Sequence, residues 1–252
     1  MTDTRNLAAR RDRGGVRIGV LVSGNGTNLQ AILDACTRGE IPAGVVLVVS
    51  SSAKALALER ARRAGVATVT LTPKECADRA TYDARLIDIL RSARVDLVCL
   101  AGFLRILTPQ FVEQFAGRIM NIHPALLPAF GGPGMYGVHV HEAVLASGVK
   151  VSGCTVHFAD ETPDGGPIIL QSAVSVEDDD TVETLAARVG VEEHRLYPAA
   201  VRLFAEGRLK VIGRRVRVVD PEGLRAPAPA GRAFLRDREN FESASLTQAK
   251  KV

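Results

Sequence analysis

An amide and an imidazole stand two residues apart in the segment Asn121-Ile122-His123-Pro124. Residues two apart in an extended chain project to the same side, and Pro124 restricts His123 to near-β geometry. Both side chains can then donate hydrogen bonds to one oxyanion, and a histidine exchanges protons near neutral pH. The segment predicts an oxyanion site with a proton donor. The alternative is a strand end at which Asn121 and His123 bind nearby backbone groups.

An acidic turn follows at 160–166, with the sequence DETPDGG. Asp164 lies between Pro163 and two glycines, which together fix the backbone of the turn. A carboxylate there could reach His123 and stabilise its imidazolium, as the orienting carboxylate of a catalytic triad does. The turn therefore predicts a catalytic role for Asp164. The alternative is an ordinary solvated turn.

A glycine-rich segment, SGNGTNL at 23–29, stands where a strand should end and a helix should begin. Backbone N–H groups at a helix start are unpaired and face an incoming anion, and glycine lets the chain approach a phosphate closely. The segment predicts a phosphate site. The alternative is a tight turn that uses Gly and Asn for positive φ angles.

The same segment departs from the G-x-G-x-x-G fingerprint of dinucleotide sites. Leu29 replaces the third glycine, and the second predicted strand ends in serines at 50–52 rather than in an acidic residue. These departures disfavour NAD, and Lys54 leaves an NADP site as an alternative.

Two other segments carry polar or apolar groups of interest. His139 and His141 would share one side of an extended segment, but the remaining ligands of a zinc site are not evident, so we predict no metal. The apolar segment FLRIL at 103–107 follows the fourth predicted strand at its carboxyl end, where open α/β sheets bind ligands. It belongs either to the core or to a pocket for a flat ring.

The elements that must position these residues alternate in type over the first half of the chain. Runs of β-branched residues predict strands at 16–23, 44–50, 66–71 and 95–101, and apolar residues at helical spacing predict helices at 27–39, 53–65 and 77–93. Strands that are apolar along their whole length are typical of sheets covered on both faces. The pattern predicts an α/β fold with a doubly wound, mostly parallel, Rossmann-like sheet.

The second half is less regular. We predict strands at 118–123, 153–159 and 167–176, then a long helix at 181–206, with acidic residues at 178–180 suited to its positive end. After Val211 the periodicity is lost, and the tail contains APAPAGR and a charged, Ser-containing end. We therefore expect a flexible basic extension at 1–15, one domain at 16–211 and a partly disordered appendage at 212–252.

Composition excludes several classes of protein. The 252 residues are 46% hydrophobic and 24% charged, with a net charge of +4, which is too small to indicate a nucleic-acid binder but suits a small anionic ligand. No apolar run reaches the length of a membrane span, and the first residues do not form a signal peptide. The four cysteines lie far apart, without a C-x-x-C pair. We expect a cytoplasmic protein without nucleic-acid or membrane partners.

The motifs together resemble the phosphoribosylglycinamide formyltransferase family. The resemblance runs from about Arg17 to Lys210 and is carried, in order, by VLVSGNGTNLQAILDA, LAGFLRILTP, MNIHPALLP, DGGPIILQ and EEHRLYP. It implies a Rossmann-like formyltransferase fold and transfer of formyl from 10-formyltetrahydrofolate, the co-substrate, to the amine of glycinamide ribonucleotide in purine synthesis. No metal is implied.

The resemblance also implies roles for individual residues. His123 matches the family's proton donor, Asn121 its oxyanion and folate-site partner, and Asp164 the carboxylate that keeps the histidine charged. The matching ribonucleotide-binding positions are Gly26, Thr27, Asn28, Gly190, Val191, Glu192 and Glu193. The matching folate-binding positions are Arg79, Leu104, Arg105, Ile106, Leu107, Asn121, Asp160, Glu161, Thr162, Pro163 and Asp164.

Some features lie outside this resemblance, and other functions compete with it. The loop at 130–137 is longer than the short Pro-Gly connection of many members. A formyltetrahydrofolate hydrolase would carry an extra amino-terminal domain, and a methionyl-tRNA formyltransferase a larger carboxyl-terminal one, for which we expect too few residues here. An NADP oxidoreductase leaves Asn121, His123 and Asp164 without a role, and a ligand-binding protein would bind without turnover. We expect a monomer or a homodimer.

Overall fold

The computed structural model describes residues 15–220. The strands are β1 (Val16–Val22), β2 (Ala43–Ser50), β3 (Ala67–Thr70), β4 (Leu97–Leu100), β5 (Ile119–His123), β6 (Val151–Phe158), β7 (Ile168–Ser175), β8 (Leu209–Ile212) and β9 (Arg215–Val218). The helices are α1 (Thr27–Thr37), α2 (Leu56–Arg63), α3 (Arg79–Ser92), α4 (Pro109–Gln114), α5 (Val138–Ser147) and α6 (Val182–Ala205). A short 3-10 turn lies at Pro73–Glu75.

The strands form one sheet in the order β3-β2-β1-β4-β5-β6-β7-β9-β8. The first five of these are mutually parallel, and β6 is antiparallel to both β5 and β7. The carboxyl ends of β1, β4 and β5 therefore lie at the same edge of the sheet. The predicted doubly wound, mostly parallel α/β fold is confirmed.

Apolar residues of β1 point alternately to the two faces of the sheet, and helices cover both faces. Ile18 and Val20 pack in one cluster with residues of α1 and α6, whereas Leu21 packs in a second cluster with residues of α3. Leu86 of α3 is fully buried in that second cluster. Truncation of such a leucine to alanine typically costs about 2–5 kcal/mol of unfolding free energy. The two clusters therefore hold the helices firmly against both faces of the sheet.

Helix α6 is also tied to the strands that carry the polar residues. The buried hydroxyl of Tyr197 lies 2.8 Å from the carbonyl oxygen of Met120 and 3.1 Å from that of Leu100. The helix begins with a capping box between Thr181 and Thr184. These contacts fix α6 against β4 and β5, next to the segment Asn121–His123.

Two helices were not predicted. Helix α4 has only six residues, and its start is set by the Thr108 side chain, which accepts a hydrogen bond from the Phe111 N–H. Helix α5 lies between Gly137 and Gly148, both with positive φ. The extended segment expected around His139 is wrong, because these residues form the first turn of α5. In VHVHEAV, apolar and polar residues alternate at first, which is the period of a strand. The glycines at 137 and 148 limit the helix to ten residues, so its helical period is hard to recognise.

A hairpin of β8 and β9 spans the predicted domain boundary. Its strands pair with each other, and β9 also pairs with β7 through Arg215 and Ile168. The expected boundary at Val211 therefore falls inside a strand, and the sheet continues to Val218. Charged residues alternate with the two valines of RVRV and this side of the sheet is mostly exposed, so the strand signal is weak. Residues 221–252 of the expected appendage and residues 1–14 of the expected extension lie outside the described residues.

Candidate active site

The alternation of β5 places Asn121 and His123 on one face, as the two-residue spacing predicts. In the antiparallel pairing of β5 and β6, Asn121 lies opposite His157, and His123 lies opposite Thr155. His123 and His157 are 3% and 1% exposed, whereas Asn121 is only half-buried. The strand pair thus presents two enclosed imidazoles and one accessible amide on the same side of the sheet.

The ring of His123 is held by two groups. Its Nε2 lies 2.7 Å from the carbonyl oxygen of Phe130, which can only accept, so Nε2 carries a proton. Its Nδ1 lies 3.6 Å from a carboxylate oxygen of Asp164. This contact becomes an ion pair when Nδ1 carries a second proton.

The ring of His157 has the opposite role. Its Nδ1 lies 2.9 Å from the carbonyl oxygen of Phe158 and donates to it, so Nε2 presents a lone pair. The side-chain nitrogen of Asn121 lies 3.1 Å from this Nε2 and donates to it. Burial lowers the pKa of the His157 imidazole, which keeps the ring neutral and able to accept. His157 therefore fixes which end of the Asn121 amide faces the sheet.

The carboxylate of Asp164 joins the two strands. One oxygen faces His123, while the other lies 3.5 Å from the amide nitrogen of Asn121 and 3.7 Å from Nε2 of His157. The backbone N–H of Gly132 donates to the first oxygen at 2.9 Å. The structure therefore brings together all three residues expected to be catalytic, although they lie on different parts of the chain.

His157 was not among the residues predicted for the site. The strand that contains it was predicted, but the position of His157 opposite Asn121 depends on the register of β5 against β6. A signal was present, since the polar residue His157 stands between the apolar residues Val156 and Phe158 on a strand of the site. Without the register, that alternation does not assign it to either face.

The glycine-rich segment forms the turn from β1 into α1. Gly26 has φ +71° and precedes the first helical residue, Thr27. A Cβ atom on Gly26 would lie 2.5 Å from the Cβ of Ala57, so α2 packs directly on the turn. The N–H groups that begin α1 are therefore presented at the sheet edge, as expected for an anion site.

Residues 190–193 lie on α6, and only some of them face this turn. The side-chain nitrogen of Asn28 donates to Glu193 at 3.0 Å. Burial raises the pKa of the Glu193 carboxyl, which the hydrogen bond from Asn28 opposes. Glu192 instead accepts from Ser172 at 2.7 Å, and Val191 is 60% exposed. Gly190 has open space where a Cβ would lie.

The loop after β4 carries the apolar residues expected at the folate side. Leu104 and Ile106 are 61% and 55% exposed, which is unusual for such residues, whereas Leu107 packs against the core. Arg79 donates to the carbonyl of Leu107 at 2.5 Å. Arg105 lies 4.3 Å from the centre of the Tyr82 ring. Helix α3 therefore holds this loop in shape and leaves two apolar side chains uncovered.

The turn at 160–164 completes the expected folate side. Asp160 accepts a hydrogen bond from the backbone N–H of Thr162 at 2.9 Å, which stabilises the start of the turn. Glu161 and Thr162 are exposed, and Pro163 is half-buried. Only Asp164 of this turn points at the two histidines.

His139 and His141 do not form a shared site. His139 lies on the surface with its Nδ1 3.0 Å from Glu142, whereas His141 is buried. Residues two apart on a helix point in different directions, so the two rings separate. Residues 15–220 contain no group of three His, Cys, Asp or Glu side chains that could hold a metal ion. None of the helices in this range is long and apolar enough to cross a membrane.

The chain is similar to known proteins in both sequence and fold. Residues 16–201 match the family described as formyl transferase. Phosphoribosylglycinamide formyltransferase of Escherichia coli is 46% identical over 196 residues, which are 78% of this chain and 90% of that protein. The trifunctional purine biosynthetic protein adenosine-3 of Bos taurus is 44% identical over 77% of this chain, but the chain spans only 19% of its length.

A solved structure gives the same result for the fold. Glycinamide ribonucleotide transformylase 1 from Symbiobacterium toebii superposes with a TM-score of 0.79 at 53% sequence identity, covering 82% of this chain and 96% of that one. The hairpin of β8 and β9 lies after the last residue of the family match.

Proposed function

The chain belongs to the formyl transferase family, and we propose that it transfers the formyl group of 10-formyltetrahydrofolate to the amine of glycinamide ribonucleotide. The products are formylglycinamide ribonucleotide and tetrahydrofolate, and the reaction is a step of purine (IMP) synthesis. The observation that carries the proposal is the convergence of Asn121, His123 and Asp164 on one face of β5 and β6.

The ribonucleotide occupies the side of the site next to α1. Its phosphate binds the backbone N–H groups at Gly26, Thr27 and Asn28, where the positive end of the helix dipole lies. The half-buried Glu193 carboxyl, held by the Asn28 side chain, offers an acceptor to the donor groups of a ribonucleotide. Gly190, Val191 and Glu192 border this side on α6.

The folate occupies the side next to the loop after β4. The exposed side chains of Leu104 and Ile106 suit the faces of a flat ring system. The turn at 160–164 faces the same space from β6, and Arg79 holds the loop through Leu107. Arg79 and Arg105 also supply the positive charge that the carboxylates of a folate require.

The chemistry is an acyl transfer through a tetrahedral intermediate. The substrate amine attacks the formyl carbon, and negative charge develops on the formyl oxygen. Asn121 donates its second amide hydrogen to that oxygen. The Nε2–H of protonated His123, once it leaves the carbonyl of Phe130, stabilises the same charge while Nδ1 stays with Asp164. The attacking amine nitrogen loses a proton to water as the new C–N bond forms. The folate nitrogen accepts a proton from His123, directly or through water, and leaves with the electrons of the broken C–N bond. Asp164 stabilises the imidazolium that supplies the proton.

Among residues 15–220, the strands and helices of the proposed enzyme unit extend from Val16 to Val218. We place it in the cytoplasm, acting on two small molecules as a monomer or a homodimer. Its four cysteines are free thiols in the structure, as a reducing compartment would keep them.

Turnover of 10-formyltetrahydrofolate tests the proposal, followed by ultraviolet absorbance with and without glycinamide ribonucleotide. Turnover that requires the ribonucleotide supports the transferase. Equal turnover without it would identify a hydrolase, which can use the same carboxylate and imidazole to activate water. No turnover in either sample would contradict both enzymes and leave a ligand-binding protein.

A further inference from the structure

The turn that carries Asp164 lies beside the tip of the hairpin formed by β8 and β9. Because β7 and β9 are parallel, their first residues lie side by side, and Ile168 pairs with Arg215. The residue before β9 therefore meets the residues before β7, which are the last residues of the Asp164 turn. That residue is Arg214.

Arg214 contacts the turn directly. Its guanidinium donates to the carbonyl oxygen of Gly165 at 2.7 Å. The hairpin connects Ile212 to Arg215 through only two residues, and Gly213 has φ +59°, which such a tight turn needs. The short connection limits the freedom of the Arg214 backbone and presents its side chain to Gly165.

The backbone of Asp164 needs such support. Its φ is +55°, a left-handed conformation that costs a residue with a side chain some free energy and persists where neighbours hold it. Within the turn, the N–H of Gly165 donates to the carbonyl of Thr162 at 2.9 Å. The side chain of Asp164 is held by the N–H of Gly132. Arg214 adds a hydrogen bond to the backbone of this turn, at Gly165, from a different part of the chain.

The Asp164 carboxylate can move only slightly before its contacts with His123 and Asn121 weaken. Its distances to Nδ1 of His123 and to the amide nitrogen of Asn121 are 3.6 and 3.5 Å, at the outer limit of useful polar contacts. A displacement of the carboxylate away from His123 would weaken the ion pair. A residue that fixes the turn therefore determines the distance between Asp164 and His123, although it contacts neither substrate.

We propose that Arg214 is a positioning residue that holds the catalytic turn so that Asp164 reaches His123. The inference rests on the proposed function for the role of Asp164. It assigns a role to a hairpin that lies beyond the family match at 16–201 and extends into the predicted appendage at 212–252. Arg214 is exposed, so its replacement leaves the hydrophobic core unchanged.

The test compares Arg214→Ala with Arg214→Lys and with Arg217→Ala. Arg217 is exposed on the same hairpin and, among residues 15–220, donates no hydrogen bond to the 160–166 turn. We expect Arg214→Ala to lower kcat about 5- to 20-fold, less than the roughly 100-fold loss that a full 1 Å displacement can cause. The KM for the ribonucleotide should not change. Arg214→Lys should recover part of kcat, and Arg217→Ala should match the wild type in both constants and in Tm.

A double-mutant cycle separates positioning from a merely structural effect. If Arg214 acts through Asp164, Arg214→Ala should lower kcat no further in an Asp164→Ala background. The same 5- to 20-fold drop in that background, or a wild-type kcat for Arg214→Ala, would overturn the proposal.

Histidine side-chain NMR supplies a readout that does not depend on formyl transfer. The ring signals of His123 should shift in Arg214→Ala and stay unchanged in Arg217→Ala. If the wild type lacks ribonucleotide-dependent turnover, the proposed function fails, and this shift still decides whether Arg214 holds the turn. Unchanged His123 signals in Arg214→Ala would contradict the positioning role.

Discussion

The side-chain amide of Asn121 and the ring of His157 meet across β5 and β6, with 3.1 Å between Nδ2 and Nε2. Nδ1 of His157 donates to the carbonyl of Phe158, so Nε2 can only accept. The contact therefore uses one amide hydrogen of Asn121 and directs the other towards Asp164 and the substrate side. A buried neutral histidine thus sets the orientation of the proposed oxyanion donor.

Replacement of His157 should reduce turnover without removing a group that touches substrate. His157→Ala frees the Asn121 amide to rotate, and we expect kcat to fall about 10- to 100-fold, short of the roughly 10²- to 10³-fold loss of an outright oxyanion donor. His157→Gln keeps an acceptor for the amide and should retain more activity than His157→Ala. Steady-state kinetics measure both, and equal kcat for His157→Ala and the wild type would contradict the orientation role.

Removal of the proposed oxyanion donors should abolish most of the turnover. Asn121→Ala and His123→Ala should each lower kcat roughly 10²- to 10³-fold. Neither residue lies in the turn at 26–28, so the affinity for the ribonucleotide, measured by calorimetry, should stay near that of the wild type. Near-normal turnover in either variant would refute the assignment of these residues.

The loop that leads to Gly132 should not accept a side chain at Gly131. A Cβ atom there would lie 2.5 Å from a methyl carbon of Leu127 and 3.3 Å from the Cβ of Asp164. Gly131→Ala should therefore cost about 1–3 kcal/mol of unfolding free energy by overpacking, and it should lower kcat by displacing Asp164. Gly44→Ala is the matched control, because no atom lies within 4 Å of its Cβ position. Urea unfolding that gives the same free energy for both variants would argue against the clash.

The ion pair between Asp180 and Arg188 should make stability depend on pH. The two side chains are 2.6 Å apart, and the hydrogen bonds from Arg188 and Thr184 hold the pKa of the Asp180 carboxyl well below its usual range. The folded pKa is thus lower than the unfolded one of about 3.9, so the stabilisation is present above that pH and declines as the pH falls towards the folded pKa.

Arg188→Ala should therefore lower Tm more at neutral pH than at about pH 3, below the unfolded pKa. Lys150→Ala is the control, since Lys150 and Asp178 form a pair whose side chains are 73% and 91% exposed. Such exposed pairs contribute little. Equal Tm losses for Arg188→Ala at the two pH values would contradict the linkage.

Periodicity was sufficient to predict the regular part of the fold. The strand at β1 and the helix at α1 were predicted to within two residues of their observed ends, because apolar runs and helical spacing reflect burial on two faces of a sheet. Elements with a weaker burial pattern were missed. Helix α4 is too short to show a period, and the side chains of β9, the second strand from the edge of the sheet, are mostly exposed.

The site was predictable only as far as local geometry determines it. Asn121 and His123 share a face because they are two apart on one strand, which the sequence shows directly. The position of His157 depends on strand register, and the contacts from the carbonyl of Phe130 and the N–H of Gly132 come from the backbone. Nearly all residue types carry these backbone groups, so the sequence does not show which residues supply the contacts.

The most direct measurement follows the formyl carbon itself. The protein is mixed with 10-formyltetrahydrofolate labelled with ¹³C in the formyl group and with glycinamide ribonucleotide, and the products are identified by mass spectrometry and ¹³C NMR. We expect the label on the amine of the ribonucleotide, as formylglycinamide ribonucleotide, and much slower formation of this product by the Asp164→Ala variant. Label found only in free formate would contradict this expectation.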